Sequence, residues 1–299
     1  MAEGSGFATD TNTLKLIPRD ENKNENFIVI PQNGQAVLWD YENDDVMSPV
    51  YSEYIDAING TGREDTFYGG SGDYSATLES DSELFQSWCD IYKDRGVAVL
   101  SIDYCTLSDA ETSFNLNDEK GYVSFCALDR NLTEIPSLDV HNENSENCTS
   151  LSDCKNFLYI LNLSSYSSKE EFIQAVLETN YDAIIMDAYF NDGTLFTASQ
   201  IENLKTKANG GTRLVISYMS IGEAEDYRWY WDSIKKKSWV LEENADWEGN
   251  YKVEYWTSDW QSVIYGSSSS YLAKILSCGF DGVYLDIIDA YEYFEDLVY

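Results

Sequence analysis

A (β/α)₈ barrel is the fold this sequence predicts, on three observations. Nine short apolar runs, candidates for about eight strands, recur between Phe27 and Asp286, with helical patterns between most of them. The main runs are continuously apolar rather than alternating, as strands of a parallel sheet covered on both faces are. Neither GxGxxG nor GxxxxGK followed by Ser or Thr occurs, which removes the usual mark of an open, doubly wound sheet.

In chain order, residues 1–26 are polar, end in "PRDENKNEN", and read as an N-terminal extension. The barrel domain spans 27–299. Its runs begin with "FIVIPQ" (27–32), and "GREDTFY" (62–68) is a weaker second candidate. "SDSELFQSWCDIYKDRG" carries a Ser/Asp start and a Gly96 stop, so it reads as a helix. "VAVLSID" (97–103) and "YVSFCA" (122–127) follow as strands. The long polar stretch 131–156 breaks the alternation and reads as a linker. Beyond it come "FLYILN" (157–162), a helix capped by Ser168, "DAIIMD" (182–187), a helix ending in Gly210 and Gly211, and "RLVISYM" (213–219). "KVEYW" (252–256) is the second weak candidate. "SSSSYLAKILSCG" leads to the last strand, "GVYLD" (282–286).

Composition narrows the chemistry. A net charge of −34 argues against nucleic acid, whose phosphates require Lys and Arg. No run of about 18 apolar residues exists, so no membrane-inserted helix is expected. The first residues lack a charged and an apolar region of the kind a signal peptide has. The single histidine, His141, lies in the polar linker, which rules out a multi-His zinc site and leaves acid–base work to other groups. Six cysteines form no CxxC pair. Cys148 and Cys154 are close enough for a local disulfide, while Cys126 and Cys278 read as small buried hydrophobes.

Carboxylates gather where the strands end. Asp103, Asp187, Glu223 and Asp286 each fall at or just after the C-terminal end of an apolar run, the rim at which barrel enzymes do their chemistry. Converging acids repel and shift one another's pKa, which suits a general acid and its partner. Asp103 and Asp187 could instead cap the following helices, and Asp289 could pair with Arg228 or cap the last helix. Asp281 precedes its strand and reads as structural. Eight Trp and 23 Tyr, several crowded between Tyr227 and Trp260, offer faces on which sugar rings stack. Acids and aromatics without histidine or a phosphate loop point to glycoside hydrolysis.

"LVISYMSIGEAEDYRWYW", "NADWEGNYKVEYWTSDWQ" and "GFDGVYLDIIDAYEYF" closely resemble the TIM-barrel family grouped with endo-α-1,4-polygalactosaminidases, glycoside hydrolase family 114. "IPQNGQ" and "GREDTFY" resemble it too, so the likeness runs through most of 27–294. The order of blocks differs from typical members: 27–130, usually last, here precede "FLYILNLSSYSS". The resemblance therefore implies a circularly permuted barrel in which 131–156 joins the usual ends, with residues near Asn26 and Phe294 close in space. Where polygalactosaminidases resemble "GVEPDN", this chain has "GVYLDI", so Tyr284 stands at their Glu and Asp286 at their Asp.

The resemblance implies a hydrolase of an α-linked, amino-sugar-containing polysaccharide, extracellular or at the cell envelope and monomeric, without metal or cofactor. Asp286 and Glu223 are the expected acid and base or nucleophile, with Asp187 adjusting them. Asp103, Asp226, Arg228, Tyr218, Glu64, Tyr284, Trp256 and Asp289 are the expected substrate contacts. A carboxyl separation of about 5 Å would mean retention and about 6.5–9.5 Å inversion. The alternative is a carbohydrate-binding barrel that has lost turnover, which Tyr284 favours. A calcium-binding module would rest on Asp-rich loops alone, since no EF-hand loop is present.

Overall fold

The computed structural model describes residues 26–38 and 51–296. The expected extension lies almost wholly outside these residues. Eight parallel strands organise the described chain: β1 (Ile28–Pro31), β2 (Gly60–Glu64), β3 (Ala98–Tyr104), β4 (Val123–Ala127), β5 (Phe157–Ile160), β6 (Ala183–Asp187), β7 (Leu214–Ser220) and, last in sequence, β11 (Gly282–Asp286). They form two sheets, ordered β2-β3-β4 and β1-β11-β7-β6-β5. Among the described residues, a parallel bridge between Gln32 and Gly62 joins β1 to β2. At the other seam Phe125 of β4 meets Phe157 of β5, ring centroids 5.7 Å apart. The result is a mixed α/β single domain with a TIM-barrel-like arrangement.

Each run becomes a strand because it is apolar on both faces. Ile30, Ile102, Phe157, Ile184, Ile185, Val215 and Val283 are all fully enclosed, with helices covering the outer face. Ser168 and Ser270 cap the helices Lys169–Leu177 and Tyr271–Cys278 by accepting from Glu171 and Ala273 amides. The helix Glu79–Lys93 differs from expectation: its cap position is Leu78, with no side-chain cap.

The two weak strand candidates resolve differently. "GREDTFY" contributes only its first residues to β2. The chain leaves the strand after Glu64, where Asp65 turns it with φ of 60°. Of "KVEYW" only Lys252 and Val253 are strand, in a small antiparallel sheet of β8 (Glu223–Glu225), β10 (Asn250–Val253) and β9 (Val240–Glu243) that stands outside the parallel set.

Residues 131–156 take the place of the helix that would ordinarily connect β4 to β5. The segment starts at the C-terminal end of the strands, where the Leu132 carbonyl accepts from the Leu161 and Asn162 amides. It finishes at the opposite end, where Asn144 and the Lys155 amide donate to Asp182. His141 lies along this path, stacked on Phe114 and 3.0 Å from Asp118, well away from the strand ends that matter below.

Cys148 and Cys154 are disulfide-bonded within the segment, and Cys278 is a free, buried thiol. Cys126 departs from expectation. It is bonded to Cys105, because β3 and β4 are neighbours and their register sets the two Cα atoms 6.3 Å apart. β1 lies beside β11, paired with it in parallel. Asn26 and Phe294 are nevertheless at opposite ends of the strands: Ile28 begins β1 against the Asp281 carbonyl, whereas Phe294 flanks Glu223 and Ile287 at the C-terminal rim.

Candidate active site

The C-terminal ends of the parallel strands surround a cavity of about 710 Å³. Turns of unusual geometry follow three of the strands around it. Asn33, Asp65 and Ile287, each one or two residues past β1, β2 or β11, all have left-handed φ between 53° and 60°. For Asn and Asp this conformation is tolerated; for a β-branched Ile it is strained, and such strain clusters at functional sites. Gly222 permits the turn at Ile287, since a Cβ there would stand 2.3 Å from the Ile287 carbonyl oxygen.

One wall carries Asp286 and Glu64. Tyr218 donates to Asp286 Oδ2 at 2.7 Å, and the Ile287 amide donates to Oδ1 at 2.8 Å. Burial, reinforced by the charge of Glu64, pushes the Asp286 carboxyl up to about 7. Glu64 is held by three donors: Gln32 at 2.5 Å and Asn33 at 2.8 Å on one oxygen, Tyr104 at 2.5 Å on the other. Tyr159 steadies Gln32 from below by donating to its carbonyl at 3.1 Å. Asp289 borders the same wall, and burial together with neighbouring Glu292 raises it to about 6.

The facing wall is built around Arg228. Its guanidinium donates to both oxygens of Asp187, at 2.9 and 2.6 Å, and to both of Glu225, at 3.0 and 2.7 Å. Burial opposes a charge here, but the Asp187 and Glu225 carboxylates outweigh it and hold Arg228 firmly protonated. Tyr227 donates to Glu225 as well, at 2.6 Å. Glu223, on the first strand of the hairpin sheet, accepts from Asn244 at 2.9 Å and lies 3.5 Å from the Lys252 ammonium. Among the described residues, six carboxyl groups against two guanidinium groups line the cavity, with Tyr104, Tyr159, Tyr189, Phe190, Tyr218, Tyr227 and Trp247 between them.

Of the residues singled out from sequence, Asp286, Glu223, Asp187, Arg228, Tyr218, Glu64 and Asp289 converge on this cavity. Asp289 does not pair with Arg228, whose partners are Asp187 and Glu225. Four others do not join. Asp103 is enclosed, accepting from the Phe67 and Tyr68 amides and from Ser113 and Asn117; it ties the β2 loop to the helix Ala110–Lys120. Burial raises this carboxyl too, although four donors oppose the shift.

Tyr284 is fully enclosed one layer below Asp286, against Tyr159, and its hydroxyl occupies the room left by Gly62. Asp226 points to solvent at the hairpin, and Trp256 packs on Phe294 with ring centroids 4.6 Å apart. Asp281 is structural as expected, bonded to Lys205 and the Val215 amide. Sequence reasoning missed Glu225, Tyr104, Gln32 and Asn33. The signal for Glu225 was its place in "GEAED" two residues after Glu223, on the same face of a strand. Among the described residues no group of three or more His, Cys, Asp or Glu is placed to hold a metal ion, and no helix is long and apolar enough to cross a membrane.

Comparison with known proteins agrees with this geometry. Residues 143–298 match the model of the family described as Glycoside-hydrolase family GH114. An uncharacterized protein of Methanocaldococcus jannaschii is 41% identical over 159 residues, 51% of this chain and 43% of its own length. Uncharacterized proteins of Deinococcus radiodurans (36% over 123 residues; 40% of this chain, 37% of theirs) and Thermotoga maritima (34% over 121 residues; 40% and 36%) are also similar. The chain thus spans about two fifths of the length of these relatives.

Proposed function

From the premise that the chain belongs to glycoside-hydrolase family GH114, we propose that it hydrolyses an α-linked, amino-sugar-containing polysaccharide by carboxylate acid–base chemistry. The observation that carries this reading is the Asp286–Glu64 pair in the cavity wall. Asp286 is buried and protonated up to about pH 7, so it can give a proton to the glycosidic oxygen. Glu64 accepts from Gln32, Asn33 and Tyr104, which fix its carboxyl in place beside Asp286 to take a proton from water or attack the sugar.

Glu223 lines the same cavity, but the carboxylate charge that Asp286 feels most is that of Glu64. We therefore give the partner's role to Glu64 and place Glu223, Asp187 and Glu225 at sugar hydroxyls or amines. The acidic lining suits a cationic, deacetylated amino sugar.

We also propose that the two parallel sheets close into one eight-stranded barrel. A family match that begins at residue 143, after the first four strands, supports the permuted order. Two disulfides favour an oxidising, extracellular or envelope setting. Monomeric action is part of the same proposal.

The test is release of new reducing ends from partly deacetylated α-1,4-galactosaminogalactan, beside an Asp286→Asn control. Release that disappears in the variant supports hydrolysis through Asp286; release that persists removes Asp286 from the chemistry. Tyr284, uncharged where the polygalactosaminidases carry Glu, favours a second reading as a sugar-binding barrel. Binding to the same polymer without release would select it.

A further inference from the structure

Beside the main cavity, between the hairpin sheet and the helix Ala290–Asp296, lies a second one of about 300 Å³. The two share Glu223, Trp247, Ile287 and Asp289 as a common wall. We propose that this second cavity is an additional subsite for the same polysaccharide chain, taking one amino-sugar unit next to those in the main cavity. The inference rests on the glycoside reading and adds to it the place where the chain continues.

Its lining has the parts that recognise a hexosamine. Trp247, 52% exposed, lines both cavities and offers an indole for a sugar ring to stack on. Tyr293 forms the outer side, its hydroxyl tied to Glu242 and its ring 4.5 Å from the Lys252 ammonium, so the ring is fixed before any ligand arrives. Phe294 closes the back and is itself wedged by Trp256 and Tyr255. Trp256, expected to touch substrate, thus acts as a support for this wall.

Asn244 and Lys252 offer donors for sugar hydroxyls. The charge of Lys252 is already shared with Glu223, which leaves Asp289 and Glu292 to favour an ammonium group. Aromatic faces, donors and unneutralised carboxylates on one small concavity are the features of a saccharide site rather than of packing.

Chain-length dependence of binding tests this. Calorimetry on full-length Asp286→Asn protein would compare an α-1,4-linked galactosamine disaccharide with the hexasaccharide. The longer ligand is expected to bind about tenfold tighter or better, an increment typical of one stacked and hydrogen-bonded ring. Tyr293→Ala, which removes the outer side, and Ala290→Phe, which fills the cavity, should each lower the ratio of long- to short-ligand affinity about fivefold or more.

Circular dichroism establishes that each variant is folded, and either one suffices. A ratio unmoved in the folded variants overturns the subsite, whatever the wild type does to the polymer. A ratio that falls while the wild type releases no reducing ends keeps the subsite and removes hydrolysis. Binding of neither ligand removes both.

Discussion

Buried and half-buried acids occupy both ends of the parallel strands, and the two ends treat them in opposite ways. At the N-terminal end Asp182 and Asp281 each meet a cation. Asp182 lies 2.8 Å from Lys207, the side chains 1% and 0% exposed, with Asn144 and the Lys155 amide completing its shell. Asp281 pairs with Lys205 at 2.7 Å. At the C-terminal end Asp286 has no cation among its hydrogen-bond partners, and a second carboxylate, Glu64, adds its charge. Matched acids fix a fold; mismatched ones hold a proton at neutral pH and can deliver it. Burial alone does not make the difference, since Asp103, at the C-terminal end, is enclosed yet satisfied by four neutral donors and does not line the site cavity.

The sharpest way to break the comparison is Asp286→Asn. Turnover should fall by about 10²–10⁴, the usual loss when a general acid is removed. Stability should move the other way. Asp286 titrates near 7 in the folded chain and near 3.9 unfolded, so the folded state binds more protons between those values. The contribution of Asp286 to stability therefore declines as pH rises from about 4 to 7, with a slope of roughly 1.4 kcal/mol per pH unit at most. Asn carries no such cost, and at pH 8 the variant should withstand more urea than wild type. A variant equally inactive but less stable at pH 8 would mean that Asp286 is a structural acid like Asp182.

Lys207→Met makes the same test at the other end. It strands Asp182 as an unpaired buried carboxylate, at a cost of about 3–5 kcal/mol. Denaturant unfolding should show that loss, while turnover per folded molecule stays at the wild-type value. A variant that keeps its stability but loses turnover would reverse the roles of the two ends.

The sequence made most of the parallel strands legible, because apolar residues on both faces leave an unbroken run that no loop imitates. It was less clear about the site, for reasons of phase. Asp103 and Asp286 both end apolar runs, and composition cannot separate them. In the structure Asp103 turns outward onto Ser113 and Asn117, and the next residue, Tyr104, is the one that enters the cavity. One step along a strand exchanges its faces. Tyr284 and Asp286 share a face but differ in depth, so Tyr284 is enclosed beneath the cavity and Asp286 lines its wall. Glu225 was hidden in a hairpin strand of three residues, too short for any periodic pattern. The Cys105–Cys126 bond depended on register between neighbouring strands, which spacing alone does not contain.

The finest test asks whether the mismatch at Asp286 can be tuned in both directions. Its carboxyl is pushed up by burial and by Glu64, and drawn down by the Tyr218 hydroxyl, which donates to the charged form. Glu64→Gln removes a like charge, so Asp286 should titrate lower. Tyr218→Phe removes the donor, so it should titrate higher. Each midpoint should move by about one pH unit or less, and the carboxyl ¹³C resonance of Asp286 reports it without any need for turnover. In Tyr218→Phe the alkaline fall of kcat/KM, where Asp286 loses the proton it must donate, should move to higher pH with it. At the N-terminal end the corresponding substitution, Asn144→Ala beside Asp182, should leave both the resonance and the pH profile where they are. Movement in the same direction in Glu64→Gln and Tyr218→Phe would mean that solvent entry governs Asp286, and the contrast between the two ends would then rest on packing alone.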